Sequence, residues 1–216
     1  MALHQTSEPK IVLDSFGFPC LKYASMRIGL LPVTKVQVEM ILGRAGSPGS
    51  NFYDLCCAIN PRGSWRNPNL ASIETLFLTG IVAEEASSIA SLYDSSCRLL
   101  TAEEWRQADQ CLTKAIDPTV LSRLMTDRRV HPAARAIIRM TNQQAKTPTG
   151  RMIALFDGGV LEWVVNQEGK FGLFGRSPTR LYSILLEPQC HNPARPLTNE
   201  RNAAFGFRLA YGGVNN

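Results

Sequence analysis

Thirteen prolines and sixteen glycines are spread along the 216 residues rather than pooled in one linker. Each proline fixes φ and removes a backbone donor, and each glycine frees the chain to turn. This distribution predicts many short elements joined by structured loops and argues against long uninterrupted helices. With 44% hydrophobic and 19% charged residues the chain can bury a full core. Its length suits one domain over residues 1–216, with 1–9 as a flexible N-terminus.

Local patterns divide that domain. Lys10 to Leu13 and Ala24 to Leu30 are short apolar runs broken by Pro19 and Gly29, which predicts strands near the N-terminus. Thr34, with Gln37 three residues on, forms a capping-box pattern before an inward stripe of Val36, Met40 and Ile41 that Gly43 ends. Residues 43 to 70 are rich in Gly, Ser, Pro and Asn and predict a long surface loop. Val82, Ala86, Ile89 and Leu92 or Tyr93 recur at helical spacing. Thr101 and Glu104 make a second capping box, ahead of a stripe of Trp105, Ala108 and Leu112. Asp117-Pro118 and His131-Pro132 read as two further helix starts, the latter with Ala136, Ile137 and Met140 facing inward.

After Gly150 the character turns to β, in short runs at Met152–Phe156, Leu161–Val165, Phe171–Phe174, Tyr182–Leu186 and Phe205–Tyr211. Helices followed by strands in one compact length predict an α+β domain.

The opening residues lack a basic region followed by an apolar run, and no stretch reaches the roughly 18 apolar residues that span a bilayer. A cytoplasmic protein without a membrane partner is expected. The cysteines Cys20, Cys56, Cys57, Cys97, Cys111 and Cys190 show no C-x-x-C spacing and read as thiols of a reducing compartment. A net charge of +5 permits an acidic partner. The densest basic stretch, Arg123 to Arg139, carries Arg128, Arg129, Arg135 and Arg139 without the interleaved aromatics that stack on bases. It reads as a solvated helix face, and nucleic acid is not an expected partner. His4, His131 and His191 are dispersed, and the chain holds no G-x-S-x-G, H-E-x-x-H or P-loop pattern.

Dispersed blocks, in order, resemble the formylglycine-generating-enzyme, or sulfatase-modifying-factor, family. Leu31-Pro32-Val33-Thr34 is similar to the family's Tyr-Pro-Val-Thr, and Ile81-Val82-Ala83-Glu84-Glu85-Ala86 to its Val-Ser-Trp-x-x-Ala. Arg98-Leu99-Leu100-Thr101-Ala102-Glu103-Glu104-Trp105 resembles Arg-Leu-Pro-Thr-Glu-Ala-Glu-Trp. Ala154-Leu155-Phe156-Asp157 with Gly158-Gly159-Val160-Leu161-Glu162-Trp163 resembles Gly-Leu-x-Asp-Met-x-Gly-Asn-Val-Trp-Glu-Trp, and Gly206-Phe207-Arg208 its closing Gly-Phe-Arg. The resemblance implies a C-type-lectin-like α+β fold with short irregular strands and several amphipathic helices.

It also implies sites to look for. In the family the glutamate matched by Glu162 belongs to a calcium site. Here Gly159 replaces the family's asparagine, and Asp157 is the candidate second ligand. An internal ion pair of Glu162, with Arg208 or another cation, is the other reading. The family's oxidases hold copper(I) through two cysteines near the C-terminus, soft thiolates suiting that ion. Cys190 beside His191 is this chain's single cysteine in that region, and Phe174-Gly175-Arg176-Ser177-Pro178 lacks the tryptophan of the family's Arg-Gly-Gly-Ser-Trp. Copper is therefore not expected.

These readings favour a non-catalytic recognition module, regulatory or defence-associated in bacteria as the resemblance suggests, that binds another protein or, failing that, a small ligand. The candidate surfaces are residues 44–69, with Arg62, Trp65 and Arg66, and residues 187–202, with His191, Arg195 and Arg201. The alternative is a divergent copper-dependent oxidoreductase acting on a thiol through Cys190.

Overall fold

The structure is a computed structural model, and it describes residues 9–23, 25–44, 53–54, 77–115, 118–144, 161–166, 168–174, 201 and 205–212. The N-terminal strands β1 (Lys10–Leu13) and β2 (Pro19–Tyr23) form a hairpin whose turn is built by Asp14. Its Oδ1 accepts from the amides of Phe16 and Phe18, both at 2.8 Å. Gly17 then turns the chain at φ +82°. An added Cβ there would lie 2.5 Å from the Arg129 carbonyl oxygen, so only glycine fits this left-handed position under a second segment of backbone. Pro19, expected to break a strand, instead opens β2. A proline at a strand's first residue forfeits no ladder bond, and its carbonyl accepts from Leu30 N at 2.8 Å.

β3 (Met26–Gly29) completes this antiparallel meander. Helix α1 (Lys35–Arg44) follows, opened by the reciprocal capping box: Gln37 N donates to Thr34 Oγ1 at 3.2 Å and Thr34 N to Gln37 Oε1 at 3.0 Å. It buries Val36, Val38, Ile41 and Leu42, with Met40 half-exposed. Helix α2 (Ala83–Tyr93) buries Ala86, Ile89 and Tyr93 and leaves Leu92 exposed. The short strand β4 (Cys97–Leu99) leads to α3 (Ala102–Ala115), α4 (Pro118–Thr126) and α5 (Pro132–Gln144). Both proline-marked helix starts are present. The His131 Nδ1 accepts from Ala133 N at 3.2 Å at the head of α5. Buried in α5 are Ala133, Ala134, Ile137 and Ile138, while Ala136 is half-exposed.

The last strands are β5 (Leu161–Val165), β6 (Phe171–Phe174), β7 (Phe205–Phe207) and β8 (Leu209–Tyr211). Phe205–Tyr211, expected as one run, is thus two strands separated by Arg208, and the two belong to different sheets. One sheet runs β1-β2-β3-β8-β4 with every pairing antiparallel; the other runs β6-β5-β7, with β7 parallel to β5. The final strand therefore lies between the third and fourth. The expected strands at 152–156 and 182–186 fall outside the described residues.

Alternation on the five-stranded sheet divides the core in two. Leu21, Ile28 and Ala210, cross-strand neighbours, pack with Trp105, Leu121, Leu124, Ile137 and Ile138 of the α3–α5 layer. Cys20, Leu209, Leu99 and Tyr211, on the opposite face, pack with Ile41, Ile89, Ala90, Trp163 and Phe207. The result is an α+β arrangement with helices on both sides of the main sheet. No helix among the described residues is long and apolar enough to cross a membrane.

Candidate functional site

Glu162 stands second in a strand that is buried along four of its five positions. Period-two alternation turns it away from Leu161 and Trp163 and toward the side shared by Val164, which packs in the core with Trp105 and Phe174. There its carboxylate meets Arg208. The Arg208 Nε donates to Oε1 at 2.9 Å and to Oε2 at 2.8 Å, and Trp105 Nε1 donates to Oε2 at 3.1 Å. The side chains of Arg208 and Glu162 are 0% and 1% exposed. Arg208 Nη1 also donates to the carbonyls of Leu30 and of Gly29, the latter at 3.3 Å.

The internal ion pair set against calcium for Glu162 is therefore present. Burial pushes the Glu162 carboxyl up, and Arg208 and Trp105 oppose that rise. A divalent cation on this carboxylate would sit against a guanidinium already at hydrogen-bond distance. Asp157 lies outside the described residues, and among those residues no three His, Cys, Asp or Glu side chains gather into a metal-holding group.

The dispersed blocks meet one another throughout the frame. Val33 N donates to Phe207 O, and Trp163 Nε1 donates to Ile81 O at 2.7 Å. In the second capping box Thr101 N donates to Glu104 Oε2 at 2.8 Å, and Glu104 N to Thr101 Oγ1 at 3.1 Å. Arg98 closes on the same Glu104 carboxylate at 2.5 Å. The Glu104 carboxyl is held low although burial alone would raise it, because Arg98 and the Thr101 amide donate to its charged form.

Of the residues proposed for recognition, Arg62, Trp65, Arg66, His191 and Arg195 lie outside the described residues, as does Cys190. Arg201 is described, and it is paired within the chain. Its guanidinium forks over Glu85 at the start of α2, with Nη1 2.9 Å from Oε2 and 3.1 Å from the Gly80 carbonyl. Glu85 also accepts from Val82 N at 3.3 Å, so the helix end, its carboxylate and Arg201 form one joint. The two side chains remain 25% and 21% exposed.

A polar cluster that no local motif announces sits under the β1–β2 turn. Tyr211 Oη donates to Asp14 Oδ2 at 3.1 Å, and Ser15 Oγ lies 2.9 Å from Tyr93 Oη. Arg44 covers it from α1, 4.7 Å from the Phe16 ring centre and 5.1 Å from that of Tyr93. Asp14, Cys20, Gln37 and Tyr211 line a cavity of about 10 Å³, the lower limit for one water molecule. No substrate fits there. Burial raises Asp14, pushes Tyr93 up to about 12 and Cys97 up to about 12, and lifts Cys20 and Tyr211 further still. The two buried cysteines are thus held as thiols and do not supply a nucleophile at neutral pH. The signal was unreadable in one dimension because its members, residues 14, 93 and 211, come from three remote segments.

No protein-family model, no curated protein and no solved structure matches this chain.

Proposed function

We propose that the chain is a non-catalytic recognition module on a degenerate formylglycine-generating-enzyme-like, C-type-lectin-type frame. The observation that carries this reading is the convergence of Trp105, Glu162 and Arg208 from three separate blocks of the resemblance onto one buried, hydrogen-bonded centre. Residues that resemble the family's signature act here as joints of the frame, and joints leave the intervening segments to carry function. Recognition is assigned to residues 44–69, through Arg62, Trp65 and Arg66, and to residues 187–202, through His191, Arg195 and Arg201. The partner is another protein, and a small ligand is the second choice.

Two measurements test the reading. Copper(I) titration of the full chain separates it from a thiol oxidoreductase: no stoichiometric tight binding is expected, and tight binding abolished by Cys190→Ala would establish the enzyme instead. Arg62→Ala, Trp65→Ala and Arg195→Ala should each weaken a captured protein partner while leaving the melting temperature unchanged. Capture unaffected by all three would refute the assignment of the surfaces.

A further inference from the structure

The charge of +5 is concentrated rather than spread. Residues 118–144, the α4–α5 hairpin, hold five arginines and one carboxylate, Asp127, a net +4 that leaves the rest of the chain close to neutral. Neither helix contains an acidic residue, whereas α2 opens on Glu84 and Glu85 and α3 on Glu103 and Glu104. Acids in those first turns complement the positive helix end, and the first turns of α4 and α5 hold none. Asp127 is engaged within the turn by Arg129, whose Nη2 lies 2.7 Å away. Arg123, Arg128 and Arg139 are exposed and Arg135 half-exposed, and none of the four has an ion-pair partner among the described residues.

The inner side of the hairpin is fixed by Leu121, Leu124, Val130, Ala134, Ile137 and Ile138 in the core, which turns the arginines outward. Arg135 and Arg139 stand one helical turn apart, a like-charge spacing that weakens an isolated helix. An anionic partner relieves that repulsion. No Phe, Tyr or Trp occurs between residues 118 and 144, so the surface has no platform for stacking bases. Guanidinium groups instead suit the planar, two-oxygen geometry of carboxylates.

The geometry points to the α4–α5 hairpin as a docking surface for an acidic, Asp/Glu-rich protein segment. It stands apart from the assignment of residues 44–69 and 187–202, and either can fail alone.

The test is fluorescence anisotropy of the full chain with a labelled Asp/Glu/Ser peptide as probe, at low and raised salt. Binding is expected, weakening about tenfold as salt screens the exposed charges. The variant R123A/R128A/R139A should bind about tenfold less tightly. Alanine is the strongest helix former, which suits Arg123 and Arg139, and Arg128 is exposed in the turn between the helices, so the melting temperature should not fall. Should it fall, R128E/R139E, altering two exposed side chains, carries the same expectation. The matched variant K10A/K22A/R27A removes equal charge from a separate exposed row, in which the three residues are direct cross-strand neighbours on β1, β2 and β3. It should bind like the native chain. The proposal is overturned by absence of peptide binding, by equal losses in the two matched variants, or by a duplex or single-stranded oligonucleotide that binds more tightly than the peptide at the same salt.

Discussion

Glu162→Gln isolates the charge at the centre of the frame. The amide keeps the side chain's size and retains an oxygen for Trp105 Nε1, so what changes is the partner of Arg208. That guanidinium is 0% exposed and would remain as an uncompensated cation inside the core. Removing one member of a buried pair costs about 3–5 kcal/mol. Set against a total stability of about 5–15 kcal/mol, this is a large fraction. At about 2–4 °C per kcal/mol for a chain of this size, the melting temperature should fall by about 6–20 °C. Arg208→Met should cost at least as much at neutral pH, because it strands the carboxylate and also strips the Leu30 and Gly29 carbonyls of a donor. Combining Glu162→Gln with Arg208→Met removes both charges, so the double variant should be less destabilised than the sum of the singles by about 2 kcal/mol. Circular-dichroism melts and urea titrations of the four proteins measure the cycle. Added calcium should leave the native melting temperature unchanged, since a cation would have to displace the guanidinium. A Glu162→Gln protein that melts with the native chain, or strictly additive singles, would refute the buried pair and the junction of the two sheets built on it.

Gly17→Ala should cost about 1–3 kcal/mol for the positive φ alone, and more because the new Cβ meets the Arg129 carbonyl oxygen. Unchanged urea stability would refute the docking of the β1–β2 turn on the α4–α5 turn. Asp14→Asn keeps an oxygen for the Phe16 and Phe18 amides but removes a carboxyl that burial raises above its ordinary 3.8. The folded chain therefore holds that proton more tightly than the unfolded chain, and this group's contribution to stability falls as pH rises through the window above 3.8. Across that window the Asn variant should gain stability relative to the native protein, and urea midpoints measured as a function of pH that show the opposite drift would refute the burial of Asp14.

What was legible in the sequence was local. The Thr34–Gln37 and Thr101–Glu104 boxes, the proline-marked starts of α4 and α5, and the strands at 161–165 and 171–174 each depend on residues within a few positions of one another. Three features escaped for identifiable reasons. β4 spans three residues, too few to display alternation. Pro19 reads as a breaker unless its place at the first position of a strand is known. The 205–211 run keeps its apolar character across Arg208, so nothing in the pattern marks the change of sheet. The candidate site divides in the same way: the sequence offered Glu162 both a calcium ion and an ion pair with Arg208 or another cation, and the pair with Arg208 is seen only in a contact across 46 residues. Arg201 meets Glu85 across 116 residues, a contact that no local pattern announces.

The position of Arg208 gives this division a physical meaning. One residue stands between a strand of the second sheet and a strand of the first, and donates to Glu162 and to carbonyls at the end of β3. Side chains that join sheets in this way are constrained by architecture whatever the molecule binds, so likeness in them reports the frame rather than the chemistry. Variants at the joints and at the surfaces should then separate cleanly. Glu162→Gln lowers stability first and any binding only through it, so binding returns to the native level at temperatures where the variant is fully folded. Alanines at Arg123, Arg128 and Arg139 lower acidic-peptide binding with the melting temperature intact. Binding lost in a fully folded Glu162→Gln protein would place the centre itself in contact with the ligand, and the separation of frame from recognition would have to be abandoned.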